Sequence, residues 1–127
     1  MKKIVFLLFV LVFIACKKES QESFGKPEVA SSEVRTPEDL GKEIFEGKGN
    51  CVACHQVDQK VVGPSIQEIA KIYKEKSADM VTFLKGDGEP IVDPSQYEVM
   101  KTNFAITEEM SDEELKALEA YMYSKLK

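Results

Sequence analysis

Two cysteines three positions apart, Cys51 and Cys54, are followed at once by His55, the only histidine of the chain. Thiols at that spacing can each add to one vinyl group of a haem, and the residue that follows then lies under the iron as an axial ligand. The run Cys51-Val52-Ala53-Cys54-His55 therefore reads as a covalent attachment site for one haem c, and electron transfer is the first function it implies. Other chemistries of paired thiols fit less well. A thioredoxin-like site opens a helix in a strand and helix fold, and no segment here shows the sustained period-two alternation of a strand. A zinc site needs more ligands than Cys51, Cys54 and His55 supply.

The elements that must position this run read as helices. Thr36 caps a helix whose first position is Pro37, with Glu38 and Asp39 near its positive end. Leu40, Ile44 and Phe45 fall on one face, and Gly47 and Gly49 close the helix just before Cys51. Gly41 leaves a bare patch on the same side, at a cost of about 1 kcal/mol relative to alanine, which points to a close approach by another backbone. The natural candidate is the last helix, opened by a capping box of Ser111 and Glu114 and carrying Leu115, Leu118, Tyr121 and Met122 as an apolar stripe. Between them the spacing predicts a helix over 65–76 with Ile66, Ile69, Ile72 and Tyr73 inward. Shorter helices are predicted over 78–85, stopped by Gly86, and over 95–101 behind Pro94. The expectation is an all-α domain.

The amino terminus stands apart from this domain. Lys2 and Lys3 precede an apolar run from Ile4 to Ile14, too short for the roughly 20 residues that span a bilayer. Bulky Phe13 suits ordinary signal cleavage after Ala15 poorly. Phe13-Ile14-Ala15-Cys16 instead resembles a bacterial lipoprotein signal, in which Cys16 is acylated and becomes the first mature residue; an uncleaved hydrophobic anchor is the alternative. Residues 17–35 are rich in Ser, Glu and Lys, too polar to offset chain entropy by burial. They read as a tether with a reach of roughly 25 Å. The expected organisation is a signal peptide over 1–15, a lipidated cysteine and flexible tether over 16–35, and one compact domain over 36–127.

Composition narrows the partners. From residue 36 onward, 11 lysines and no arginine stand against 18 acidic residues, a net charge of −7 before any haem is added. Such a domain repels nucleic acid and favours a redox partner with a basic docking patch, with encounter rates that fall as salt rises. A domain of about 90 residues has a thin core, and a large apolar cofactor at its centre would supply burial that the sequence lacks.

Over nearly all of residues 36–127 the chain resembles the class I c-type cytochromes, small monohaem carriers. The matching features are Gly41 and Phe45 ahead of the site, Cys51, Cys54 and His55 at it, Val62-Gly63-Pro64 after it, a late methionine and an aromatic at Tyr121. The resemblance implies a cytochrome c fold of about four to five helices packed around one covalently bound haem. It implies crossed first and last helices meeting at Gly41, Phe45 and Tyr121, and a Pro64 carbonyl that accepts from His55 and fixes its ring. It also favours Met100 as the second axial ligand, with Asn103 bonded to the methionine sulfur. Lys101 and Thr102 stand where prolines often stiffen that loop, so a less constrained ligand loop is expected. Met110 is the rival, although its place just before the Ser111 cap suits a hydrophobic staple. Met80 and Met122 read as core.

The expected function is that of a membrane-tethered carrier of single electrons, monomeric, with His55 and Met100 on the iron and no catalytic apparatus of its own. It is expected on the periplasmic side of a bacterial membrane, or at the cell surface, held by lipid at Cys16. The alternatives are a haem enzyme or gas sensor with an open sixth position and a fixed cytochrome subunit of a larger redox complex.

Overall fold

The computed structural model describes residues 35–127. The signal segment, Cys16 and all of the tether but Arg35 lie outside the described residues. Arg35 pairs with Glu43 at 2.5 Å, so the last residue expected in the tether sits against the first helix. Among the described residues there is no strand, only an isolated bridge between His55 and Lys60. The domain is all-α, as the sequence predicts.

Helix α1 (Pro37–Glu46) opens on Thr36, whose hydroxyl accepts from the Asp39 amide at 3.2 Å. Helix α2 (Ile66–Lys76) is capped in the same way by Ser65, and α6 (Asp112–Tyr123) by the full Ser111 and Glu114 box. Each cap satisfies amides that the first helical turn leaves without partners. The largest helix contact is α1 against α6. A Cβ on Gly41 would fall inside the Ala117 carbonyl and 2.7 Å from Tyr121 Cβ, so only glycine lets the helices cross this closely. Beside that crossing the Phe45 and Tyr121 rings lie 5.4 Å apart. Ile44, Ile66, Leu115 and Leu118 complete the core around the crossing.

The shorter elements differ from the expectation in detail. Helix α3 spans only Met80–Leu84, because Asp79 caps it by accepting from the Thr82 amide at 2.9 Å. The predicted helix over 95–101 is broken into a 3-10 turn (Pro94–Gln96), α4 (Tyr97–Met100) and a second 3-10 turn (Lys101–Asn103). A further four-residue helix, α5 (Phe104–Thr107), was not evident from periodicity. It is fixed from a distance: Phe83 meets Phe104 edge-on at 5.4 Å, and the buried Thr107 hydroxyl donates to the Leu84 carbonyl at 2.6 Å.

Candidate functional site

The motif folds into one helical turn. Asn50 takes a left-handed conformation (φ 51°), and Cys51–Ala53 then form a 3-10 turn. The amides of Cys54 and His55 both donate to the Cys51 carbonyl, at 3.1 and 2.9 Å. Residues three and four apart in such a turn share a face, so Cys51, Cys54 and His55 present their side chains together. All three line one cleft. Its proximal wall also contains Gly63 and Pro64, its floor Phe45, Ile69, Tyr73 and Leu118, and its distal wall Ile91, Val92, Tyr97, Val99, Met100 and Asn103.

Backbone bonds set the proximal wall. The Gly63 amide donates to the Cys54 carbonyl at 2.9 Å, and the amides of Ile66 and Gln67 donate to Gln56 and Val57 at 2.9 and 3.1 Å. The loop after the motif is thereby clipped to the start of α2, which brings the Pro64 carbonyl 2.8 Å from His55 Nδ1. The imidazole lies flat on Gly63, where an added Cβ would be 2.5 Å from Cε1 and 2.8 Å from Nδ1. With Nδ1 donating to that carbonyl, the neutral ring carries its lone pair at Nε2, the atom available to a metal. Among the described residues Nε2 has no side-chain or backbone partner of its own.

Cys51 lacks the lowered pKa of a redox-exchange thiol. Cys51 and Cys54 are unpaired. Burial pushes the Cys51 thiol up to about 11, the reverse of the lowered pKa that makes a thiol a reactive thiolate at neutral pH. No group of three or more His, Cys, Asp or Glu side chains is arranged to hold a metal ion among the described residues. The cleft walls are largely aliphatic and aromatic, and no buried side-chain polar atom among the described residues lacks a partner. Burial also raises the Tyr73 phenol, which stays neutral. An apolar slot with two thiols and one oriented imidazole on a single wall fits a flat macrocycle with one iron.

Of the four methionines among the described residues, three line the cleft. Met100 lies at the end of α4, partly buried and lining the cleft. Met80 and Met122, read as core, are buried at 1% and 8% exposure and also reach the cleft. Met110 is buried in the core and is not among the cleft residues, in keeping with a staple before the Ser111 cap. Asn103 departs from expectation: its amide donates to the Gly49 carbonyl at 3.3 Å, and no bond to the Met100 sulfur is present. Lys101 and Thr102 are held without proline, Thr102 Oγ1 donating to the Val99 carbonyl at 2.7 Å and Lys101 lying over the Tyr97 ring.

Sequence reasoning gave Gly63 no role beyond a place in the run Val62-Gly63-Pro64, and gave Gly49 none in the site. The signal for the first was present, since a glycine directly before the proline that faces the histidine has a reason to be small. The second carried only a helix-ending signal.

Comparison with known proteins agrees with this geometry. A model of the cytochrome c family matches residues 38–125. Over 39 residues the chain is 54% identical to cytochrome c-552 of Nitrosomonas europaea, covering 31% of this chain and 37% of that protein. Over 33 residues it is 52% identical to cytochrome c-551 of Pseudomonas denitrificans, covering 26% and 39%. Cytochrome c-551 of Azotobacter vinelandii is 43% identical over 35 residues, covering 28% and 42%. The matches thus span about two fifths of the length of these curated relatives.

Proposed function

Because this chain belongs to the cytochrome c family, we propose that it carries single electrons between redox proteins while tethered to a bacterial membrane. The observation that carries this reading is the one-turn face of Cys51, Cys54 and His55, with the imidazole already held on the Pro64 carbonyl. Haem c, attached through Cys51 and Cys54, supplies a ferric/ferrous couple when bound.

The remaining work falls to the chain. His55 would hold the iron through Nε2, its ring oriented by the Pro64 carbonyl, which accepts from Nδ1. Met100 would hold the iron from the opposite wall, a soft thioether that would raise the reduction potential. Met80 and Met122 are committed to core packing, and Met110 lies away from the cleft. With His55 and Met100 both engaged, no coordination position is left for a substrate, so the domain is a carrier and not an enzyme. The apolar walls keep water from the reacting centre, which limits the rearrangement that accompanies each change of charge. The domain works as a monomer.

Acylated Cys16 and the tether over 16–35 keep the domain on the periplasmic side of the membrane, with the cell surface as the other destination. No described helix is long and apolar enough to cross a membrane. The excess of carboxylates selects partners with a basic docking patch, and docking weakens as salt rises.

The test is the absorption spectrum of the oxidised holoprotein, read at the weak far-red band that reports sulfur ligation of ferric iron. The band is expected in wild type and absent in Met100→Ala. A band that survives the substitution moves the ligand to another methionine, Met80 or Met122 before Met110, since those two reach the cleft. A wild type without the band, whose ferrous form binds carbon monoxide readily, replaces the carrier reading with a sensor or enzyme.

A further inference from the structure

Gly49 is a junction between the two walls of the cleft. Its amide donates to the Ile44 carbonyl at 2.8 Å, which fastens it to the end of α1. Its carbonyl faces two side-chain donors, Cys51 Sγ at 3.4 Å and Asn103 Nδ2 at 3.3 Å. The second bond spans 54 residues of sequence and ends three residues past Met100. No other residue fits at this junction, because a Cβ on Gly49 would meet the Ile44 carbonyl oxygen at 2.7 Å and Cys51 Sγ at 3.1 Å.

We propose that Asn103 is a positioning residue, a latch that fastens the Met100 segment to the haem-attachment loop through the Gly49 carbonyl. This rests on the reading of Met100 as distal ligand and deepens it. The segment needs such a tie. Helices α4 and α5 and the 3-10 turn between them have no side-chain caps. The bond from Thr102 to Val99 and the pair Lys101 with Glu98 are local. Among the described residues, Asn103 to Gly49 is the one side-chain hydrogen bond from residues 97–103 to another part of the molecule.

Haem attachment sharpens the role. When the Cys51 thiol adds across a vinyl group, sulfur bonds to one carbon, the thiol hydrogen passes to the other, and nothing leaves. The resulting thioether has no hydrogen to donate, so Gly49 keeps Asn103 as its side-chain donor. One of the two hydrogens of the Asn103 amide is then held by the attachment loop.

The test uses holoprotein carrying Asn103→Leu, nearly isosteric and without a donor, with Asn103→Asp as second variant should the first fail to mature. In the diamagnetic ferrous state the Gly49 carbonyl carbon resonance is expected to move upfield of wild type, while those of Gly47 and Lys48 stay in place. In the ferric state the ratio of sulfur-ligated to unligated protein, followed through the far-red band on warming, is expected to fall about 5- to 10-fold, the contribution of one hydrogen bond. An unmoved Gly49 resonance overturns the latch. If the band weakens all the same, the amide acts on the Met100 sulfur directly. A wild type without the band would overturn the ligand reading and not the latch, which the Gly49 resonance decides by itself.

Discussion

The two walls of the cleft are built by different means. The proximal wall is a run of backbone bonds: Cys51 to His55 closes a turn, Cys54 to Gly63 closes the loop behind it, and Gln56 and Val57 tie that loop to α2. The distal wall is a chain of one-turn segments over 93–107, joined to the rest through side chains: Phe104 on Phe83, Thr107 on Leu84, Asn103 on Gly49 and Asp93 on Lys60. A ligand on the first wall is oriented by main chain, which few substitutions can disturb. A ligand on the second is placed by a few contacts that single substitutions remove one at a time. In the function proposed above, haem attachment and His55 fall on the wall set by main chain, and Met100 on the wall held by side chains.

The comparison breaks first at Gly63. Gly63→Ala drives a methyl into the His55 ring and cannot be relieved without shifting the Pro64 carbonyl. The expected loss is about 3 kcal/mol of holoprotein stability, at the upper end of the cost of overpacking. Denaturant unfolding of the loaded protein measures it. Glu98→Ala, an exposed change on the distal segment that does not line the cleft, should stay within about 0.5 kcal/mol on the same scale. Equal losses would mean that both walls are equally rigid, and the contrast would be gone.

A smaller effect is expected where the distal wall has its one fully buried polar tie. Thr107 is 0% exposed, and its hydroxyl donates to the Leu84 carbonyl. Thr107→Val keeps the shape and removes the donor, at an expected cost of about 1–2 kcal/mol. Because this bond holds α5 to α3, hydrogen exchange should quicken over 97–107 and stay unchanged over 51–67. Acceleration spread evenly over both stretches would show that the walls open as one unit.

The same contrast explains what was legible in the sequence. Helices α1, α2 and α6 announce themselves because their caps and apolar faces are local, and Gly41 foretells a close crossing because a bare position on a buried face has few other uses. The motif and Pro64 are legible for the same reason, lying within 14 residues of one another. The distal wall is not legible in that way. The cap at Asp79 is a local signal, and it starts α3 two residues after the expected Ala78. Helix α5 has no local signal at all: Phe104 and Thr107 are fixed by Phe83 and Leu84, more than 20 residues earlier. The partner of Asn103 was beyond reach too, since nothing near residue 103 points to a carbonyl at residue 49.

The mildest test concerns the ion pair that joins the walls at the surface. Lys60 Nζ lies 2.8 Å from Asp93 Oδ2, 33 residues away, with the lysine well exposed. The hydrogen bond from Lys60, then that from Ser95, holds the Asp93 carboxyl below its usual value of 3.8. The same bond to Asp93 raises Lys60 above 10.5. A carboxyl whose pKa is lower in the folded than in the unfolded chain stabilises the fold above its usual pKa, and that contribution is lost as pH falls through the folded value. A lysine whose pKa is raised keeps its share until pH climbs past its ordinary value. The stability difference between wild type and Asp93→Asn should therefore be small and level from about pH 5 to 9, and should shrink toward zero as the carboxyl protonates below that window. Salt should erode it throughout, because an exposed pair is screened over about 10 Å at 0.1 M. Thermal unfolding of the two proteins across that range checks the shape of the curve. A difference that persists undiminished in acid would mean that Asp93 acts through its bond from Ser95 and the turn at Pro94, making the distal wall self-supporting at this point and the tie across the cleft idle.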